Sequence, residues 1–416
     1  MNRALVVGAG FAGATAAREL AEADWKVTVV DKRSHIGGNA FDFVNGHGIR
    51  VHLYGPHLWH TSNDEVQQWA SRFTEWVPYK HRVKAQLNDG RYVPLPINPE
   101  TLEKIFDSKL WFWATDNDYI AYDPDTGQTG YKKGAHAAFL ETLVEHHQEV
   151  TNSRQHVENS VGRQLCDLFF APYTKKMWGL ELEQLPAAVA ARIPTNVESG
   201  SELYFPKDKH QYLPKDGYTA MFERIFDHPN ITVVLNHERR EVINPHLRGF
   251  FRLKGVEDNT FDVTFTSEPI DTYFDCRLGE LPWRSIRMHT QSVPVPYLLP
   301  TPVVNFTHAG PFTRVTEWKQ LPAHGDNPHW TTITTEEPCD YKDNGHERYY
   351  PVKTSNEVCP NRELYQRYVE LARQEKNVHF IGRCGRYVYT DMAPCISSTL
   401  SQVRRFLRGQ NTQVDD

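Results

Sequence analysis

Residues 1–31 read MNRALVVGAGFAGATAARELAEADWKVTVVD and decide the fold of this chain. A short apolar strand at residues 4–7 runs into the glycine motif GAGFAG at residues 8–13, and an alanine-rich helix follows. A second apolar strand at residues 27–30 ends in Asp31. Strand, glycine turn, helix, strand and carboxylate stand in the order that gives this motif its physical meaning. The stretch therefore predicts a doubly wound α/β domain that binds a dinucleotide.

Each residue of the motif has a separate role in that fold. Gly8 permits the tight turn, Gly10 lets backbone N–H groups approach a pyrophosphate at the helix N-terminus, and Gly13 lets the helix lie close to the strand. Asp31 is placed to accept hydrogen bonds from an adenosine ribose. The cofactor-binding residues predicted in this part of the chain are Gly8, Gly10, Phe11, Gly13, Asp31 and Lys32.

A second glycine pair, Gly37-Gly38, follows six residues after Asp31. Glycine lets another backbone segment approach the cofactor closely, because it has no side chain. A close approach just beyond the ribose carboxylate is typical of chains that bind FAD rather than NAD. The sequence therefore predicts FAD.

Composition limits the other possibilities. A chain of 416 residues exceeds the usual size of a single core, so two or three domains are expected. A net charge of −6 offers no basic stripe for nucleic acid, so a phosphate-bearing ligand must be held by a few local arginines. No apolar run approaches 18 residues and no cationic leader precedes the first strand, so neither a membrane span nor a signal peptide is expected.

Cysteine and histidine usage indicates the compartment and argues against a metal. The six cysteines are scattered without metal-ligand spacing and are read as free thiols of a cytoplasmic protein. Among the twenty histidines, His146-His147 falls in a stretch of helical periodicity and no HExxH motif occurs. No metal site is predicted.

Residues 169–178, FFAPYTKKMW, hold the densest set of functional side chains. Aromatic residues in a helical stretch are often ordinary core, and the run alone does not decide between core and binding site. The segments at residues 37–42 (GGNAFD) and 54–61 (YGPHLWHT) resemble the UDP-galactopyranose mutase family. Flavin amine oxidases share the early spacing but usually carry arginine after the glycine pair, where this chain has Asn39.

The resemblance assigns roles within the aromatic run and beyond it. It implies that Tyr173 stacks on uracil, Thr174 lies near the diphosphate and Trp178 lies over the sugar. Arg192, fourteen positions after that tryptophan, corresponds to a mobile-loop arginine and precedes Ile-Pro, which favours an extended backbone. The chain departs from the family at Asn196, where a second arginine is common, and this leaves the identity of the sugar open.

Further matches lie far apart in the sequence. In LPWRS at residues 281–285, Arg284 would be a second diphosphate clamp, and in RYYP at residues 348–351, Tyr350 would reach the phosphates. Arg383 would contact the flavin, with Tyr389 and Asp391 at the active site. Asp391 is equally placed to be a helix N-cap.

The remaining assignments complete the predicted site. His57 and His60 match flavin-proximal histidines, although either can be a structural hydrogen-bond donor, and Tyr204 can be a core aromatic. The implied catalytic residues are Arg192, Arg284 and His60. The implied substrate contacts are Asn98, Phe169, Tyr173, Thr174, Trp178, Arg192, Tyr204, Arg284, Tyr350, Tyr389 and Asp391, and the further cofactor contacts are Gly38, Asn39, His57, Arg383 and Met392.

The resemblance implies three domains. A discontinuous FAD-binding Rossmann-like domain comprises residues 1–76, 211–244 and 360–408, and a helical domain with the mobile loop comprises residues 100–198. A mainly antiparallel twisted sheet comprises residues 77–99 and 245–359. Strand patterns at residues 81–87, 91–94, 231–235, 261–265, 303–306 and 378–381, an irregular segment at 293–302 and a helix at 392–407 fit this arrangement.

The implied reaction converts UDP-galactopyranose to UDP-galactofuranose with no net redox change, with reduced FAD as nucleophile at the anomeric carbon. The resemblance also implies an external reductant such as NADPH or NADH, and a homodimer. Three alternatives stay open: a mutase for UDP-N-acetylgalactosamine or for a 6-deoxyhexose on UDP or TDP, a flavin oxidase or dehydrogenase, and a non-catalytic flavin-binding sensor.

Overall fold

The computed structural model describes residues 1–124, 126–190, 197, 200–243, 260–352 and 360–410. The helices are α1 (Phe11–Glu22), α2 (Asp64–Ser71), α3 (Pro99–Asp116), α4 (Ala135–Glu141), α5 (Ser153–Leu165), α6 (Ala171–Trp178), α7 (Ala187–Ala190), α8 (Gly217–Phe226), α9 (Arg239–Ile243), α10 (Ile270–Tyr273), α11 (Pro360–Ala372), α12 (Gly382–Gly385) and α13 (Met392–Leu407). The strands are β1 (Arg3–Val7), β2 (Lys26–Asp31), β3 (Asp42–Val44), β4 (Arg50–His52), β5 (Trp59–Thr61), β6 (Trp76–Pro78), β7 (Val83–Gln86), β8 (Tyr92–Leu95), β9 (Ile120–Asp123), β10 (Gln128–Tyr131), β11 (His210–Pro214), β12 (Ile231–Leu235), β13 (Val263–Thr266), β14 (Trp283–Val293), β15 (Val303–Phe306), β16 (Arg314–Glu317), β17 (Thr331–Asp340), β18 (Tyr350–Pro351) and β19 (Val378–Phe380).

A five-stranded parallel sheet in the order β12-β2-β1-β13-β19 forms the predicted doubly wound domain. Strand β1 is buried on both faces: Ala4 and Val6 pack in the core with α1, α8 and α13, while Leu5 and Val7 pack with Val242 of α9. Burial on both faces explains why the strand is a continuous apolar run rather than an alternating one. The predicted α/β fold class is confirmed.

Strand β13 belongs to a different sheet from the one predicted for its part of the chain. Residues 263–266 fall within the range assigned to the antiparallel sheet, yet β13 pairs in parallel with β1 and β19. A four-residue strand buried among apolar neighbours carries no sequence signal for its partner, and its place is fixed only by pairing across some 260 residues.

The second large sheet has seven strands in the order β18-β14-β17-β16-β15-β7-β8. All its pairs are antiparallel except β15 with β7. Strand β14 ends at Val293, and the proline-rich segment up to residue 302 contains no strand, as predicted. A smaller antiparallel sheet has the order β5-β11-β6.

Residues 99–190 are mostly helical, with two departures from the predicted pattern. The hairpin β9–β10 interrupts the helices. His146-His147 lies between α4 and α5 and not in a helix, so the helical reading of that dipeptide is wrong. In the part of the chain that the structure describes, no helix is both long enough and apolar enough to cross a membrane.

The glycine turn shows why Gly13 is needed. Gly8 has φ of +99°, and a Cβ atom built on Gly13 would lie 1.7 Å from the Gly8 carbonyl oxygen. The first turn of α1 therefore rests directly on the backbone at the end of β1. This contact sets the position of the helix N-terminus.

We expect Gly13→Ala to destabilise the fold. Alanine normally favours a helix interior by about 1 kcal/mol over glycine. Here the backbone contact outweighs that gain, and overpacking of this kind costs about 1–3 kcal/mol. The control is Gly46→Ala, because a Cβ there meets nothing within 4 Å. Urea unfolding of both variants measures the difference, and equal stability of Gly13→Ala and the wild type would contradict the proposed contact.

Candidate active site

Two cavities meet at one group of side chains. The glycine-turn cavity, about 490 Å³, follows the ends of β1 and β2. The aromatic cavity, about 290 Å³, lies between α6 and the seven-stranded sheet. The residues that line both are Asn39, His57, Arg383, Asp391 and Met392. The two cavities therefore share part of their walls, and ligands bound in both would meet at these side chains.

The glycine-turn cavity contains most of the predicted cofactor residues. Its wall includes Gly8, Gly10, Phe11, Asp31, Lys32 and Gly38. A Cβ on Gly38 would lie 2.9 Å from the Cα of Gly10, so the two glycine segments touch and leave backbone facing the cavity. Gly13 is not on this wall and acts on helix packing. The arrangement offers the close backbone approach that a pyrophosphate requires.

Asp31 is held rigidly at the end of β2. One carboxylate oxygen accepts the backbone N–H of Ala9 at 2.7 Å and the other accepts that of Arg33 at 2.9 Å. Each oxygen keeps a second lone pair, so the carboxylate can still accept hydroxyl groups of a ribose.

A loop from the seven-stranded sheet covers the outer part of this cavity. Glu347 forms ion pairs with Arg33 and, at 3.9 Å, with Lys32. Arg33 also donates to Asn39 at 2.9 Å and lies 4.3 Å from the centre of the Tyr54 ring. Burial disfavours the charged guanidinium, but Glu347 outweighs burial and raises the pKa of Arg33. The two large sheets are thus joined by charge beside the predicted cofactor site.

Arg383 organises the junction of the cavities. Its guanidinium donates to the carbonyl oxygens of Thr390 and Tyr349 and lies 5.3 and 5.2 Å from the ring centres of Tyr350 and Tyr389. Those two rings are stacked with centres 5.3 Å apart, and Trp178 contacts both. Trp178, Tyr350, Tyr389 and Arg383 therefore form one continuous wall.

A buried chain of hydrogen bonds fixes the tautomers of two histidines behind this wall. The Nδ1 atom of His324 bonds to the Pro322 carbonyl at 2.8 Å and must carry the proton, so its Nε2 accepts from Nε2–H of His52 at 2.9 Å. The Nδ1 atom of His52 then accepts the backbone N–H of His57 at 3.0 Å. Each ring carries one proton and is neutral.

The ring of His57, whose backbone ends this chain, is a neutral acceptor at the junction because it is buried. Its Nδ1–H donates to the Gly55 carbonyl at 2.9 Å, which leaves Nε2 as the acceptor. Burial lowers the pKa of His57 to about 4, and the hydrogen bond to Gly55 only partly offsets that. Burial likewise lowers the pKa of His324 to about 4 and places that of His52 well below its ordinary value.

Helix α6 brings the predicted substrate residues to the aromatic cavity. Tyr173, Thr174, Met177 and Trp178 have spacings of one, four and five residues, which place them on one face, and all four line the cavity. The helix ends at Gly179, whose φ is +67°. Burial raises the pKa of the Tyr173 hydroxyl, so it stays protonated.

Phe170 lines this cavity, whereas Phe169 is buried in the core of the helical region. A π-helical turn at residues 166–170 precedes α6 and rotates the side chains relative to a regular helix. The sequence gives no warning of that turn. Phe170, rather than the predicted Phe169, therefore faces the aromatic cavity.

Three other predicted residues lie elsewhere. Asn98 is a buried helix N-cap that accepts the Thr101 N–H at 3.0 Å and lines neither the glycine-turn cavity nor the aromatic cavity. Arg284 donates to the carbonyl oxygens of Met177 and Lys176 and likewise lies outside the described cavity walls. Arg192, like Asn196, lies outside the described residues, so its role stays a prediction.

Sequence reasoning missed Arg314, a cation on the wall of the aromatic cavity. It begins β16 and pairs across the sheet with Glu336 on β17, with Nε and Oε1 2.6 Å apart. Burial disfavours the charged form of Arg314, but the charge of Glu336 and its hydrogen bond favour that form and raise the pKa of the guanidinium. A cross-strand pair of opposite charge is the available signal, and it appears only once the strand pairing is known.

The nearby residues His60 and Tyr204 both line the aromatic cavity, as predicted for ligand contacts. His60 stacks on Phe205 with ring centres 3.7 Å apart, and its Nδ1 lies 2.7 Å from a carboxylate oxygen of Asp208. Asp208, which the sequence did not single out, therefore orients the imidazole and leaves Nε2 as its other polar atom.

Among the described residues, one cluster of metal-ligand type occurs away from the two cavities. Ligand atoms of Glu145, His147 and Glu158 lie within 4.8 Å of one another. Arg163 contacts both carboxylates, with Nε 3.1 Å from Glu145 and 3.8 Å from Glu158, and Arg154 lies 3.3 Å from Glu158. These cations balance the negative charge, and the cluster gives no reason to revise the prediction of no metal site.

Comparison with known proteins gives this site its context. Residues 168–389 match the family model for UDP-galactopyranose mutase, and residues 6–73 match that for an NAD(P)-binding Rossmann-like domain. A probable UDP-galactopyranose mutase of Klebsiella pneumoniae is 31% identical over 99% of this chain and 96% of that protein. The chain belongs to the UDP-galactopyranose mutase family.

Relatives within this family differ in their named substrates. A dTDP-fucopyranose mutase of Escherichia coli is 29% identical over 98% of this chain and 99% of that protein. The fold also matches a crystal structure of reduced UDP-galactopyranose mutase with a TM-score of 0.68 at 14% identity, over 99% of this chain and 95% of that one. The relatives within the family are thus named for different nucleotide sugars.

The buried histidine chain makes a prediction about pH. A histidine whose folded pKa lies below its unfolded value of 6.5 leaves stability intact above pH 6.5 and lowers it as the pH falls towards about 4. In His324→Gln the amide can still accept from His52 and donate to Pro322, but it does not titrate. We expect the advantage of the wild type in urea unfolding to shrink from pH 7 to pH 5, by up to about 1.4 kcal/mol per pH unit below 6.5.

The control is His329→Gln, because His329 is exposed. Its stability difference from the wild type should not change with pH. A pH-independent difference for His324→Gln would contradict the neutral, hydrogen-bonded chain.

Proposed function

We propose that this protein interconverts UDP-galactopyranose and UDP-galactofuranose with reduced FAD as its cofactor. The observation that carries the proposal is the Arg314 guanidinium on the wall of an aromatic cavity that shares His57 and Arg383 with the glycine-turn cavity. A cation, aromatic faces and a dinucleotide site in contact are what a nucleotide-diphosphate sugar and a flavin together require.

The glycine-turn cavity suits FAD. Gly10 and Gly38 leave backbone where the pyrophosphate would lie, and the Asp31 carboxylate can receive the ribose. Arg383 and the neutral His57 stand at the end shared with the aromatic cavity, where they would contact the flavin ring. When bound and reduced, FAD supplies a nucleophilic N5 atom for attack at the anomeric carbon.

The side chains of the aromatic cavity would hold the substrate. Tyr173 offers a face to the pyrimidine and Trp178, beside Tyr350 and Tyr389, a face to the sugar. Arg314 would take the diphosphate, since a planar guanidinium in a desolvated site binds and stabilises a departing UDP. Arg192, which lies outside the described residues, is proposed as the second cation at the diphosphate.

Two histidines, His57 and His60, could accept or donate a proton in the proposed reaction. His57 presents a lone pair at Nε2 beside the shared wall, where it can accept a proton or hold a donor in place. His60, oriented through Nδ1 by Asp208, can exchange a proton at Nε2 with a sugar hydroxyl. We propose His57 as the positioning acceptor and His60 as the proton-transfer group.

A second candidate substrate is a 6-deoxyhexose on TDP, which the similarity to a dTDP-fucopyranose mutase favours. A flavin amine oxidase would have no use for a paired arginine beside the aromatic slot. The reductant, proposed to be NADPH or NADH, and the proposed homodimer remain predictions.

Product analysis tests the reaction. Dithionite-reduced protein is incubated with UDP-galactopyranose, UDP-N-acetylgalactosamine and TDP-fucose, and the nucleotide sugars are separated by chromatography. We expect a furanose product from UDP-galactopyranose, none from oxidised protein, and many turnovers per reductant because the reaction is redox-neutral. The control is Gly10→Glu, which should lose FAD and activity together because a side chain would occupy the pyrophosphate site.

Equal activity of the oxidised protein, or one reductant consumed per product, would exclude the mechanism. Conversion of TDP-fucose alone would move the assignment to the second candidate.

Binding of free UDP tests the role of Arg314. The double variant Arg314→Gln/Glu336→Gln keeps a polar pair and avoids a lone buried carboxylate. Hydrogen bonds to a charged group are worth about 1.5–3 kcal/mol, so calorimetry should show at least about tenfold weaker UDP binding with FAD content unchanged. The matched control Arg287→Gln/Glu337→Gln changes the neighbouring cross-strand pair outside the described cavity walls and should bind UDP like the wild type. Unchanged affinity in the Arg314 variant would show that the diphosphate lies elsewhere.

A further inference from the structure

Lys176 lies on α6 beside the substrate residues, but its ammonium points into the backbone of the sheet. Its Nζ atom donates to the carbonyl oxygens of Phe306 at 2.7 Å, Phe312 at 2.8 Å and His308 at 2.9 Å. A lysine ammonium has three N–H donors, so these bonds use all of them. Among the described residues no carboxylate pairs with it.

The three carbonyls belong to the last residue of β15 and to the turn that leads from it to β16. Strand β15 carries Val303 and Asn305 on the cavity wall, and β16 begins with Arg314. Helix α6 carries the facing wall. The Lys176 bonds therefore join the two sides of the aromatic cavity at a fixed spacing.

Arg284 makes a second connection at the end of the same helix. It donates to the carbonyl oxygens of Met177 at 2.9 Å and Lys176 at 3.2 Å. Carbonyls in the last turn of a helix have no partner within the helix, and a cation satisfies them. Arg284 stands opposite Tyr350 in the sheet, and Tyr350 contacts Trp178.

Lys176 is held at an energetic cost. Burial lowers the pKa of the ammonium to about 8, because carbonyl dipoles replace water without supplying a negative charge. A neutral side chain could satisfy one carbonyl, but only an ammonium directs three donors from a single atom at three carbonyls of one turn.

We propose that Lys176 is a positioning residue, which sets the distance between the α6 wall and Arg314 so that a nucleoside diphosphate is held by both at once. The part of this inference that concerns the ligand rests on the proposed function. The part that concerns the connection between α6 and the turn does not.

Hydrogen exchange tests the connection without a ligand. In Lys176→Met, amide exchange should become at least about tenfold faster in residues 171–178 and 307–313 together, whereas FAD content stays at the wild-type level. The control is Lys175→Met, since the adjacent Lys175 is exposed and pairs with Glu181. If the Met variant does not fold, Lys176→Arg keeps the charge but presents a planar fork, and it should show faster exchange in the same two segments. Unchanged exchange, or a change in one segment only, would overturn the proposal.

A double-mutant cycle in UDP binding tests the positioning role. Lys176→Met alone should weaken UDP binding at least about tenfold, but should add less than about threefold in the Arg314→Gln/Glu336→Gln background, because there is then no Arg314 to align. A lysine that only stabilises its helix would give additive losses, and additivity would overturn the proposal. Failure of the wild-type protein to bind UDP or TDP would instead count against the proposed function, and the exchange result would still decide the connection.

Discussion

The Arg314–Glu336 ion pair is the interaction on which the aromatic cavity depends. A carboxylate buried almost completely on β17 needs a partner, and a guanidinium on β16 provides it at 2.6 Å. Replacing a buried ion pair with apolar residues is often neutral or stabilising, so the pair is poor evidence for a stability role. The ion pair matters for the cavity because it leaves part of the Arg314 guanidinium exposed there. The Nε donor is used by Glu336, and the rest of the planar fork can face an anion.

Neutral histidine rings are as important at the junction of the two cavities as the charged Arg383. The bonds from Pro322 through His324 and His52 to the backbone of His57 have a carbonyl at one end and an N–H at the other, so only one arrangement of protons satisfies them. Protonation of either ring would set two donors against each other. The ring of His57 is not part of this chain, and burial keeps it uncharged, so the shared wall combines the cation of Arg383 with a neutral imidazole.

The sequence predicted the features that local chemistry determines. The glycine turn, the flanking strands and the helix at residues 392–407 follow from periodicity and backbone constraints within a few residues of each other, and the structure has them there. The family motifs placed Tyr173, Thr174 and Trp178 on the cavity wall. Asp391 occupies the N-cap position of α13 while lining both cavities, although its side chain makes no capping bond.

What the sequence could not predict depends on contacts between distant segments. Phe169 and Phe170 are adjacent, and only Phe170 lines the aromatic cavity, next to a π-helical turn that changes the orientation of both side chains. Arg314 is one basic residue among many until β16 is set beside β17. Asp208 becomes relevant only when it meets His60 across 148 residues. In each case residue type was informative, but the deciding quantity was a long-range distance.

The arginines and the lysine show why residue type alone is a weak guide to an anion site. Arg284 stands in a motif that resembles the family, yet two of its donor groups are used by carbonyl oxygens at the end of α6. Lys176 has all three donors occupied in the same way. Arg314 lies on the cavity wall and its partner engages one edge of its guanidinium. Lys176 would therefore gain little from a diphosphate, because each new hydrogen bond would break an existing one, whereas the two bonds of Arg284 use only two of its five N–H groups. Arg284 and Arg314 both keep further N–H groups, and it is the position of Arg314 on the wall of the aromatic cavity that favours it for the proposed diphosphate contact.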